Sequence, residues 1–159
     1  MSAQKTISQL SGIAAFALLT GISPAQAQSY GSNITIDQAK KIAAGAIAEC
    51  QKNNWRTAVA ILDTGGSLVY FERIDDTQVA SLKIAIDKAY AAATYRRPSR
   101  VWEDAVAKGR IAVLSLAGVV ASPGGLPIVS DGKVIGAVGV SGGTGDQDEQ
   151  CAKAGLSAM

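Results

Sequence analysis

Apolar positions recur along the chain at two spacings, and the changes between them mark the elements. Ile36, Ala39, Ala43, Ile47 and Cys50 fall at steps of three and four, which lays them on one stripe of a helix. Thr35 and Gln38 stand before that stripe at capping-box spacing, and Asn53-Asn54 close it, so a first helix is predicted over Ile36 to Lys52. Thr57 to Leu62 reads as a strand apolar on both faces. Asp63-Thr64-Gly65-Gly66 turns the chain and Leu68-Val69-Tyr70-Phe71 returns it, a hairpin. A second helix is predicted over Val79 to Tyr95. Ala85, Ala89, Ala92 and Ala93 make it small-sided and intrinsically stable. Arg96-Arg97 complement its negative end and Pro98 stops it. Ser99 is placed to cap a short helix over Arg100 to Lys108, ended by Gly109.

The pattern is clearest from Leu126 to Glu149. Leu126–Ser130 and Lys133–Ser141 flank Asp131-Gly132, a strong hairpin signal. Gly136 and Gly139 have opposite parity, so both faces of the second strand lose side chains. That permits a helix to press close on one face and a ligand or a neighbouring subunit on the other. After Gly142-Gly143-Thr144-Gly145, Asp146 and Glu149 stand at capping-box-like spacing and open a last helix to about Ala158. Leu114 to Val120 fits a turn or a strand equally. Paired strands with short turns and interspersed helices predict an α+β domain: one antiparallel sheet of about five strands with helices packed on it.

The first residues stand outside this scheme. A weakly basic start at Lys5, a short apolar run from Ile13 to Leu19, Pro24 and then Ala25-Gln26-Ala27 follow the order of a secretory signal peptide. The run is shorter than the roughly 20 residues that span a bilayer. The expected organisation is therefore residues 1–27 as signal and 28–159 as one mature domain, periplasmic or secreted and free of the membrane once the signal is removed. The formal net charge is only +2, and Lys5 accounts for one unit of it, so nothing argues for nucleic acid. Cys50 and Cys151 are the two cysteines. Export would place them where thiols pair; a bridge between first and last helices and two separate buried thiols are both consistent with the sequence.

The chain has no histidine. That excludes Ser-His-Asp and Cys-His catalysis, histidine-ligated zinc and a histidine-ligated haem iron. The Gly142–Gly145 loop before a helix has amides suited to an anion, but Asp146, Asp148 and Glu149 crowd it with negative charge, and a tight turn with a capped helix explains it better. Those three acids match no complete metal-binding loop, and no metal ligand set is identified. Arg96, Arg97, Arg100, Lys108 and Arg110 form a basic segment suited to carboxylates, or to a solvated helix end, or to the acidic Asp146–Glu149 stretch across a subunit boundary.

Taken together, Gly124-Gly125-Leu126-Pro127-Ile128, Ile135 to Gly143, Asp146-Gln147-Asp148-Glu149, Ala85-Ile86-Asp87-Lys88-Ala89 and Arg96-Arg97-Pro98-Ser99 resemble the GlcG/HbpS family over almost the whole mature chain. The resemblance implies a profilin- or PAS-like α+β fold, homo-oligomers, and haem or another tetrapyrrole as ligand. It also implies a relation to the carboxy-terminal domain of the PduO cobalamin enzyme. On that basis the expected function is an exported, non-catalytic small-ligand-binding protein. The ligand is expected between Tyr95, Arg96, Arg97 and Arg100 and the glycines Gly142 and Gly143, with arginines on its carboxylates; a tyrosinate at Tyr95 is one candidate iron ligand, although a buried tyrosine with a satisfied hydroxyl is the commoner case. Two other readings stand beside it. One is an enzyme or binding protein for a small organic acid of the glycolate type, with Asp87 or Asp146 as base. The other is a ligand-free structural oligomer packed through the Gly139 surface.

Overall fold

The computed structural model describes residues 29–159, so the signal segment predicted over 1–27 lies outside the described residues. Four helices and four strands follow one another as α1 (Ile36–Lys52), β1 (Ala58–Leu62), β2 (Leu68–Arg73), α2 (Ala80–Tyr95), α3 (Arg100–Ala107), a 3-10 helix (Ile111–Ser115), β3 (Gly125–Ser130), β4 (Lys133–Ser141) and α4 (Gly145–Ser157). The strands make one antiparallel sheet in the order β2-β1-β4-β3. The expected α+β class holds, with four strands in place of about five. The Leu114–Val120 stretch becomes part of the 3-10 helix and a loop. Beyond the end of β1, the edge of β4 is met instead by a single parallel bridge from Tyr30 to Val134.

Why the sheet is buried on both sides follows from parity. Val59, Ile61, Val138 and Val140 face α1 and α4, together with Ile42, Ala46 and Ala152. Ala58, Ala60, Leu62 and Ala137 face the alanine stripe of α2. A disulfide between Cys50 and Cys151, with Cα atoms 5.6 Å apart, joins α1 to α4 inside the first layer. No helix among the described residues is long and apolar enough to cross a membrane.

Glycines set the closeness of these layers. A Cβ on Gly139 would stand 2.0 Å from the Ala85 carbonyl oxygen, so α2 lies directly on the β4 backbone. One on Gly136 would stand 2.5 Å from the Leu62 oxygen and 3.1 Å from Ile34. Both faces are therefore closed by the chain itself, and the Gly139 surface expected to pack subunits is covered by α2.

Two helix starts differ from expectation. Thr144, not Asp146, is the N-cap of α4, in a capping box with Gln147. That leaves Asp146 and Asp148 in the first turn, where the dipole favours them. Ser99 makes no capping bond to α3. Its hydroxyl donates to the Ser122 carbonyl at 2.6 Å and accepts from the Gly125 amide at 2.9 Å, tying the end of α2 to β3. The Thr35–Gln38 capping box forms as the sequence predicts.

Candidate functional site

Helix α2 ends where Arg96 turns left-handed, φ 54° and ψ 41°, and Pro98 prevents its continuation. The side chains released there lie against aromatic rings. The Arg96 guanidinium is 5.1 Å from the Tyr30 ring centroid, and that of Arg97 is 5.5 Å from the Trp102 centroid. Tyr95 meets Trp102 edge-on at 5.1 Å. Each cation–ring contact contributes about 0.5–1 kcal/mol when exposed. The Tyr30 hydroxyl lies 3.0 Å from the carbonyls of both Ala93 and Thr94, acceptors that a helix end leaves open. The Tyr95 hydroxyl donates to the Ala117 carbonyl at 2.8 Å. Tyr95, Arg96 and Arg97 thus form one cationic, aromatic cluster.

Arg100 has other partners. Its Nε donates to Glu149 at 2.7 Å and a terminal nitrogen pairs with Asp146. These carboxylates, Asp146 first, raise its already high pKa. The acidic stretch of α4 is therefore met by an arginine of the same chain. Burial pushes the Glu149 carboxyl up, but Lys153 and Arg100 pull it further down, leaving it below the usual range.

Gly142 and Gly143 take part in a third set of contacts. A Cβ on Gly142 would stand 2.1 Å from the Arg56 carbonyl oxygen, so only glycine fits. The Gly143 amide donates to Asp148 Oδ1 at 2.9 Å. The anion held by this loop is the protein's own carboxylate. Asp148 Oδ2 in turn accepts from Lys88 Nζ at 2.7 Å, and the same ammonium reaches the Val140 carbonyl at 3.1 Å. Burial raises the Asp148 carboxyl, with Lys88 and the Gly143 and Gly142 amides opposing.

Sequence reasoning passed over this Lys88–Asp148 pair, although a signal existed. Lys88 sits on the same stripe of α2 as Ser81, Ala85 and Ala92, and Asp148 on the stripe of α4 that carries Cys151, Ala152 and Gly155. A charge on an apolar stripe needs a partner in the core. The carboxylates considered as catalytic bases are in surface pairs, Asp87 with Lys83 at 2.6 Å and Asp146 with Arg100. Among the described residues no group of three acidic or sulfur ligands is placed to hold a metal ion.

Against known proteins, residues 34–157 match the family model described as "Haem degrading protein HbpS-like". The chain is 42% identical over 103 residues to Protein GlcG of Escherichia coli K12, covering 65% of this chain and 77% of that protein. Among solved structures, the Klebsiella pneumoniae protein ORFY superposes with a TM-score of 0.75 at 30% identity, covering 82% of this chain and 93% of that one. A complex of PduOC with heme superposes with a TM-score of 0.73 at 25% identity, covering 80% and 95%.

Proposed function

The chain belongs to the HbpS-like family, and on that premise we propose that it is an exported, non-catalytic protein that binds haem or a related tetrapyrrole. In this reading it works as a homo-oligomer in the periplasm or outside the cell. The observation that carries the reading is the agreement in fold with a solved heme complex at 25% identity.

The donor set decides the binding mode. There is no histidine, and both cysteines are joined in a disulfide, which closes off imidazole and thiolate ligation. Phenols are left for the iron and guanidinium groups for the propionates. Arg96 and Arg97 suit the second role by the carboxylate-matching fork of N–H donors that a guanidinium carries, one of which, Arg97 Nε, donates to the Tyr95 carbonyl at 3.2 Å. The group, when bound, supplies redox chemistry at its iron; this chain's part is to hold and orient the macrocycle. Tyr95 fits the iron poorly, since its hydroxyl would have to leave Ala117.

Haem titration into purified residues 28–159, followed at the Soret band, tests the proposal. A saturable, stoichiometric band is expected, weakened about tenfold or more (roughly 1.4 kcal/mol) when Arg96 and Arg97 are both replaced by Ala. A weak, non-saturating response from the unaltered protein would reject it.

A further inference from the structure

Tyr90 is held more tightly than a half-exposed residue needs to be. A Cβ on Gly66 would stand 2.6 Å from one edge of its ring, and a Cβ on Gly118 would stand 2.6 Å from the other. Both glycines have positive φ, 82° and 73°, a region that residues with side chains rarely adopt. Two turns far apart in sequence, the β1–β2 turn and the loop after the 3-10 helix, therefore converge to clamp one ring. The residue nevertheless remains 40% exposed.

The hydroxyls of the other tyrosines are engaged. Tyr30 reaches Ala93 and Thr94, Tyr70 donates to Glu72, and Tyr95 donates to Ala117. That of Tyr90 has no partner among the described residues. Packing between two glycines would be served equally by phenylalanine, so the hydroxyl has no structural task. Leu68 and Leu116, each two residues from one of the clamping glycines, are also half-exposed.

We infer that Tyr90 is the residue through which the chain holds a ferric tetrapyrrole, its phenol oxygen taking one coordination position on the iron. The inference rests on the tetrapyrrole reading above. On binding, the phenol would give its proton to solvent and its oxygen would displace the water or hydroxide that ferric haem carries in solution; the iron stays ferric and no electron is transferred. A clamped ring suits this role because the oxygen is fixed in place before the ligand arrives.

The experiment titrates haem into the purified protein and its Tyr90→Phe and Tyr95→Phe variants, reading affinity, Soret position and the phenolate-to-iron charge-transfer band. The unaltered protein and Tyr95→Phe should share a phenolate spectrum. Tyr90→Phe should lose it and bind about tenfold more weakly or worse. Tyr90→His should restore tight binding with an imidazole-type spectrum, which separates loss of a ligand from loss of fold. If the unaltered protein binds haem and Tyr90→Phe keeps both spectrum and affinity, the inference is overturned and the tetrapyrrole reading stands. If the unaltered protein gives no saturable band, the reading fails and the inference fails with it.

Discussion

Lys88, in the middle of α2, reaches past β4 to the Asp148 carboxylate in the first turn of α4, and the 2.7 Å pair is 2–3% exposed. It joins the two helical layers that sandwich the sheet, passing the β4 carbonyl of Val140 on the way. Removing one partner leaves an uncompensated buried charge, which costs about 3–5 kcal/mol. Lys88→Met and Asp148→Ala are each expected to lose that much in urea denaturation. Lys88→Met combined with Asp148→Leu should recover most of the loss, because the desolvation of two ions is then avoided. Single variants as stable as the parent would show that the pair contributes no net stability.

The disulfide should contribute on a similar scale. Cys50 and Cys151 are 101 residues apart in sequence and fully buried. Closing a loop of that length removes about 4–5 kcal/mol of entropy from the unfolded chain by the loop-entropy argument. The oxidised protein should therefore unfold at distinctly higher denaturant than the Cys50→Ala/Cys151→Ala variant. Reductant should act only through unfolding, since neither sulfur is exposed. Rapid thiol release from the native protein, read with a thiol reagent, would contradict this.

Gly139→Ala tests whether the glycines of β4 serve the fold or an interface. The new methyl would meet the Ala85 carbonyl at 2.0 Å and the Ala89 amide at 2.6 Å, both of them backbone. Backbone cannot swing aside, so the cost should reach about 3 kcal/mol or more, the upper end for overpacking. Gly109→Ala is the control. Its φ of 80° is strained but nothing lies within 4 Å, so only the conformational cost of about 1 kcal/mol is expected. Equal stability losses in the two variants, read by thermal unfolding, would remove the close approach of α2 from the account.

Local periodicity made most of the fold legible. The stripe of α1, its Thr35–Gln38 box and both Asp-Gly-type hairpins depend on neighbours within a few residues, and all are present. The N-cap of α4 lies two residues before the Asp146 that the sequence pattern suggests, because two overlapping boxes compete there. Thr144 with Gln147 prevails, leaving Asp148 to turn inward to Lys88 and Glu149 to pair with Arg100. The grouping of site residues could not be read locally. Whether Arg100 faces a ligand or Glu149 depends on α3 folding back toward α4, a contact 49 residues long. The clamp on Tyr90 is likewise visible only once Gly66 and Gly118 are brought to the two edges of one ring.

Acid should expose the Arg100–Glu149–Lys153 network. The folded pKa of Glu149 lies below its ordinary value of 4.5. On acidification the unfolded chain therefore takes up this proton first. The stability contributed by Glu149 is fully present above the ordinary value and is lost as pH falls through the lowered folded one. Asp148 acts with the opposite sign. Burial raises its folded pKa, so its ionisation opposes folding as pH rises, and the two groups partly cancel in the whole protein. Glu149→Gln separates them. It should be less stable than the parent near neutrality, where Arg100 loses a charged partner at 2.7 Å and Lys153 one at 2.6 Å. In urea denaturations taken from pH 7 down to about pH 3, the gap should hold until the pH approaches the ordinary value and narrow below it. A gap that stays constant across that range would mean that Glu149 acts by packing rather than by charge.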